Sequence, residues 1–129
     1  MERAIEVFAV INFLVIGLSH LVQPRVWVEF FVLVRSQGYP GVFANAMLSL
    51  MVGSIIVAFH NVWTGIPLVL TLLGWANVIK ALLYFAFPAW GLRKIGIPTE
   101  ARAHLFVLPG LGFIALAGLL LYHVTTTPP

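Results

Sequence analysis

Residues 41–59 read Gly-Val-Phe-Ala-Asn-Ala-Met-Leu-Ser-Leu-Met-Val-Gly-Ser-Ile-Ile-Val-Ala-Phe, without a single charge. A helix rises about 1.5 Å per residue, so about 20 apolar residues cross the hydrocarbon core of a bilayer. This stretch is a membrane span by length and by chemistry. Three more stretches qualify. Residues 4–22 carry Glu6, Asn12 and His20; residues 65–87 carry Lys80 as their one charge; residues 105–124 hold only His123 near the end.

Composition agrees. The chain has 129 residues, 61% hydrophobic and 9% charged, where a soluble domain carries about 25% charged residues. A soluble fold of this length leaves too much surface in water to hide so many apolar groups. The expected fold is therefore all-α: an integral membrane, antiparallel four-helix bundle forming one transmembrane domain over residues 1–129. Glu2 and Glu6 stand where a secretory signal would be basic, and no small-residue cleavage site follows, so the first span is expected to be retained.

Residues 24–38 differ from their flanks. Pro24 suits a first helical position and Gly38 a terminating one. Val26, Trp27, Phe30, Phe31 and Val34 recur at helical spacing, with Arg25, Glu29 and Ser36 elsewhere. The segment reads as a short amphipathic helix in the interface, lying on lipid or on the bundle. It is too short and too charged to be a fifth span. His60 to Thr64 forms a tight turn, whereas residues 88–102 form a longer link holding Arg93, Lys94, Glu100 and Arg102.

Arg25, Arg35, Arg93, Lys94 and Arg102 collect on one side, opposite Arg3. The positive-inside rule then predicts that both termini lie outside the cytoplasm. Trp27, Trp63, Trp90, Tyr39 and Tyr122 fall near span ends, as an aromatic belt would.

Polar groups inside a bilayer need a partner or a cavity. Counting the helical rise from the basic end places Asn45 about 7 Å deep, Lys80 about 10 Å deep, and Asn77 and Asn12 about 15 Å deep. Asn77, Lys80 and Tyr84 share one helix face, as do Asn45, Ser49 and Gly53. One reading is a ligand-binding polar pocket with Lys80 as its charge, Asn77, Asn45 and Asn12 as its walls, His20 nearby and Glu29 as counter-ion. A milder reading has Lys80 snorkelling to the headgroups and the asparagines bonding between helices. A second cluster, on the outer side, comprises Glu6, His60, Asn61 and His123. Carboxylate and histidine together suit proton transfer or a divalent metal, but no ligand-spacing motif is present, so no metal is expected.

Paired histidines hold haem in many membrane bundles. His20 with His104, and His60 with His123, come from different helices, yet all lie at the rims, and no cofactor is expected. The absence of cysteine excludes disulfides and thiolate chemistry. No phosphate loop, nucleophile elbow or His-Glu-x-x-His motif occurs. The last span is rich in small residues, Gly110, Gly112, Ala115, Ala117 and Gly118, which let helices approach closely within the bundle or between chains.

Two stretches carry a resemblance: Gly17-Leu18-Ser19-His20-Leu21-x-x-Pro24-x-x-Trp27-x-x-Phe30-Phe31, and Ala58-Phe59-His60-Asn61-Val62-Trp63, supported by Gly74-Trp75 and Lys80. Over residues 12–90 the chain resembles uncharacterised small bacterial four-helix inner-membrane proteins, and in layout it is remotely similar to DoxX-like proteins. The resemblance implies a multi-pass protein of the bacterial inner (plasma) membrane; it transfers no redox residues. Three functions stay open: a binding or accessory subunit that packs with other chains or holds a lipid; a small oligomeric channel or transporter using the Lys80 pocket; and a membrane enzyme on a lipid or quinone, toward which the sequence leans least. The expected partners are the lipid bilayer and either further copies of the chain or a larger membrane complex, and not nucleic acid.

Overall fold

A computed structural model describes residues 1–95 and 100–128, with no side-chain description for residues 100–102. Four long helices dominate: α1 (Glu2–Val22), α3 (Tyr39–Phe59), α4 (Pro67–Ala86) and α6 (Val107–Thr126). Each is long and apolar enough to cross a membrane, α6 with the turn that leads into it. Their apolar residues run all round the helix, so each helix leaves large side chains exposed: Val15, Met47, Leu48, Leu82 and Leu108 are all at least 59% exposed. Such surfaces suit lipid and not water. The chain is a small multi-pass membrane protein with an all-α four-helix fold.

Shorter elements complete the chain. Helix α2 (Pro24–Ser36) starts with proline in its first turn, and Gly38 turns the chain into α3 with a φ of 63°. Between α4 and α6 lie α5 (Pro88–Lys94) and a 3-10 segment (Glu100–Phe106). The sequence read this stretch as a plain link. The difference arises because one or two helical turns with Arg93 and Lys94 on them give no apolar periodicity to read. The 3-10 segment also shifts the start of the last helix to Val107, two residues before Pro109.

The four long helices form two tight pairs, α1 with α6 and α3 with α4. Both pairs close through small residues. A Cβ on Gly17 would sit 2.9 Å from the Gly110 carbonyl oxygen, and one on Gly53 would sit 2.8 Å from that of Gly74. Only glycine permits these backbone crossings, where close packing replaces the hydrophobic driving force that lipid removes. Gly110 and Ala117 thus face into the bundle, whereas a Cβ on Gly112 or Gly118 would meet open space.

The two pairs touch each other sparingly. At the end that carries the termini, Ala9, Val10, Ile56, Leu70 and Leu120 form an apolar core. Arg3 tethers the termini there, donating to the carbonyls of Thr127, at 2.7 Å, and of Val124. At the opposite end α2, α5 and the 3-10 segment form a layer. Phe31 of α2 packs on Phe106, Arg35 donates to the Leu92 carbonyl at 2.9 Å, and Gly91 of α5 nests on Val42 and Tyr84. Arg25, Arg35, Arg93 and Lys94 all belong to this layer; the side chain of Arg102 lies outside those described. Between the apolar core and the basic layer the pairs stay apart.

Candidate functional site

That separation leaves a cavity of about 510 Å³. Its walls are α1 (Phe8, Asn12, Phe13), α3 (Asn45, Ser49, Val52) and α4 (Asn77, Lys80), with Phe30, Phe31 and Val34 of α2 at the basic end. Along α3 it runs from Ala44 to Ile56, about 18 Å at the helical rise. Phe8, Phe30, Leu48 and Val52 line it and are also exposed. Its mouth is therefore apolar and opens sideways, toward lipid.

Of the pocket residues named from sequence, the structure brings Asn12, Asn45, Asn77 and Lys80 to this one cavity. Their local bonding differs. Asn12 turns its amide back to the Phe8 carbonyl at 2.8 Å, and Asn77 does the same to Leu73 at 2.9 Å. A side chain that bonds its own helix four residues back is satisfied where it stands. The Asn45 side chain makes no hydrogen bond among the described residues. Lys80 holds its Nζ 5.4 Å from the centroid of the Tyr84 ring, a cation–π contact on the same helix face. It has no carboxylate partner among the described residues. The antiparallel register that stacks Phe43 on Phe85 and sets Gly53 between Gly74 and Val78 puts Lys80 about level with Leu48 and Ser49. Its ammonium leans from there toward the turn of Asn45.

His20 and Glu29 stand elsewhere. His20 is buried with its ring stacked 4.0 Å from Trp27 and its Nδ1 2.8 Å from the Ile16 carbonyl oxygen, while Trp27 donates to Ser19 Oγ at 3.0 Å. It locks α2 onto α1 and does not line the cavity. Glu29 is exposed on α2, away from the cavity wall. Helix α2 turns Phe30, Phe31 and Val34 to the cavity instead, because burying an unpaired carboxylate costs far more than burying an aromatic ring.

The outer cluster resolves into a closed network. Glu6 and His60 are buried, with Nε2 3.1 Å from Glu6 Oε1. On the other edge of the ring, Nδ1 lies 3.3 Å from the hydroxyl of Thr71, which is fully buried. That hydroxyl donates to the Val62 carbonyl at 2.7 Å and accepts from the Val62 N–H at 3.0 Å. Hydrogen counting then fixes the rest. Thr71 has one proton and gives it to Val62, so Nδ1 supplies the proton of its own contact. One further proton must fill the gap between Nε2 and Oε1. The pair is net neutral whichever atom carries that proton, and a net-neutral pair is far cheaper to bury than a lone charge.

Asn61 and His123 do not join the network. Asn61 accepts from Trp75 Nε1 at 3.4 Å, and His123 Nδ1 faces Thr127 Oγ1 at 3.3 Å. His123 instead lines an open recess at the termini end, together with Glu2 and Glu6. Among the described residues no three His, Asp or Glu side chains converge as a metal site. Both nitrogens of His60 are engaged, which leaves none for iron. His104 is exposed on the 3-10 segment.

Thr71 went unnoticed in the sequence. Its signal was weak: a lone threonine in an apolar helix bonds its own backbone at little cost, and its partner lies at the end of another helix. No protein-family model, no curated protein and no solved structure matches the chain.

Proposed function

We propose that this small membrane protein is a binding protein that holds a lipid-like amphiphile between its two helix pairs. One observation carries the reading: the pairs leave a mostly apolar cavity of about 510 Å³, open to the lipid side, with Lys80 and three asparagines on its wall. Ligand sites of about 300–1,000 Å³ with apolar walls and a few convergent polar groups are the usual form for small-molecule binding. The apolar core of Ala9, Val10, Ile56, Leu70 and Leu120 lies between the cavity and the outer network, so a single bundle offers a dead-end pocket more readily than a polar path. This supports binding over conduction. Ser49 and Lys80 both line the cavity, but no hydrogen bond joins them among the described residues, so the site lacks an activated nucleophile and binding accounts better for it than catalysis.

The basic layer of Arg25, Arg35, Arg93 and Lys94 opposite Arg3 supports a cytoplasmic position for α2 and α5 and an outer position for both termini. The resemblance noted above supports a bacterial inner membrane.

Native mass spectrometry of protein extracted in mild detergent tests the binding function. Wild type retains an added lipid-sized mass; Ala44→Phe and Ser49→Leu, which fill the cavity, lose it while keeping wild-type helical content. Retention of the same mass by folded filled variants contradicts the reading.

A further inference from the structure

The cavity also says what kind of head the ligand bears and which way it lies. The inference rests on the binding function above. Five polar side chains line the wall, Asn12, Asn45, Ser49, Asn77 and Lys80, but two of them are already satisfied: Asn12 and Asn77 donate to carbonyls of their own helices, at Phe8 and Leu73. Among the described residues the donors without a polar partner are the Lys80 ammonium, held over the Tyr84 ring, the Asn45 amide and the Ser49 hydroxyl. Lys80 and Asn45 stand toward the basic end, since the α3–α4 register puts Tyr84 about level with Asn45. A half-buried ammonium at membrane depth with no carboxylate against it is a charge awaiting its complement.

The other end of the cavity is apolar. Beyond Asn12 and Asn77 its walls are Phe8, Ala9, Val52 and Ile56, stopped by the apolar core. The length of about 18 Å suits an extended chain. A lining that is apolar along this length and carries its one cation near the basic end matches a hydrocarbon chain with a charged head.

We propose that the occupant is a single-chain anionic amphiphile drawn from the bilayer. Its carboxylate or phosphate head sits on Lys80 Nζ and the Asn45 amide, and its chain runs toward Phe8 and Ile56. A charge-assisted contact of this kind discriminates an anionic from a neutral head by about tenfold or more.

Competition binding on delipidated protein tests this. The probes are a long-chain carboxylate, an alkyl phosphate and an alcohol of the same chain length, with acetate and inorganic phosphate as head-only controls. The expected result is at least about tenfold tighter binding of one or both anionic amphiphiles than of the alcohol, and no competition from the small anions. Whichever anion wins names the source of the head. Lys80→Met levels the anion and alcohol affinities without loss of alcohol binding, and Lys80→Arg keeps the preference. Equal binding of anion and alcohol by wild type overturns the head assignment and leaves the binding cavity standing. Failure of every long-chain probe overturns the cavity reading itself. Competition by acetate or inorganic phosphate as strong as that of the long-chain anions makes the site a simple ion site and overturns the chain assignment.

Discussion

Glu6, His60 and Thr71, at the end of the bundle that carries the termini, use their polar atoms on one another and on Val62. The side chains of Lys80 and Asn45, in the opposite half, have no polar partner among the described residues. The outer network is closed and net neutral, and it joins α1 to the α3–α4 hairpin, so it bridges the two helix pairs. The inner site lines a cavity and carries a charge. In lipid an unsatisfied polar group costs several kcal/mol because no water is at hand. A site built to hold helices together removes that cost internally. A site built to hold a ligand leaves it for the ligand to remove. The same residue classes thus take opposite roles according to whether their partners belong to the chain.

The contrast can be broken most sharply at Glu6. Glu6→Ala leaves Nε2 of the fully buried His60 without its partner, and removal of one member of a buried pair is expected to destabilise the fold by about 3 kcal/mol; reversible unfolding in mixed micelles measures it. Thr71→Val keeps the shape but leaves the Val62 backbone groups and His60 Nδ1 without a partner, and about 1–2 kcal/mol is expected to be lost in the same assay. Lys80→Met takes the opposite course. Without ligand, removal of a charge from the bilayer leaves stability unchanged or raises it by up to about 1 kcal/mol, so a loss as large as that of Glu6→Ala would make Lys80 a structural residue. The two asparagine variants give the smallest effects and the finest distinction. Asn45→Leu lowers affinity for the anionic amphiphile several-fold, while Asn12→Leu, whose amide already serves its own helix, changes neither affinity nor stability by more than about 0.5 kcal/mol.

The sequence exposed these two regions unequally. The four spans were legible because about 20 apolar residues in a row is a strong and lengthy signal, and helix α2 because Pro24 and Gly38 bracket it. The depth of Asn12, Asn45, Asn77 and Lys80 follows from the rise per residue, which alone puts them in one half of the bundle. Rotation about the helix axes was not legible. Counting puts Glu6, His60, Asn61 and His123 at one level, yet only rotation decides that Glu6 meets His60 while Asn61 turns to Trp75. For the same reason Glu29 was a reasonable counter-ion by position, and α2 turns it outward. Helix α5 and the 3-10 segment were hidden by their brevity, since their order depends on packing against Val42, Tyr84 and Phe31.

Thermal unfolding of wild type, Thr71→Val and Lys80→Met, each with and without a saturating long-chain anion, sets both regions in one measurement. A ligand at about 100 times its Kd stabilises by about 2.7 kcal/mol, enough to raise the midpoint visibly. Thr71→Val is expected to start lower than wild type yet show the full ligand-induced rise, whereas Lys80→Met starts at or above wild type and, with affinity for the anion about tenfold lower, keeps only about half of the rise at the same ligand concentration. A full rise in Lys80→Met, or its loss in Thr71→Val, would contradict the division of the bundle into a closed outer clamp and an open inner binding site.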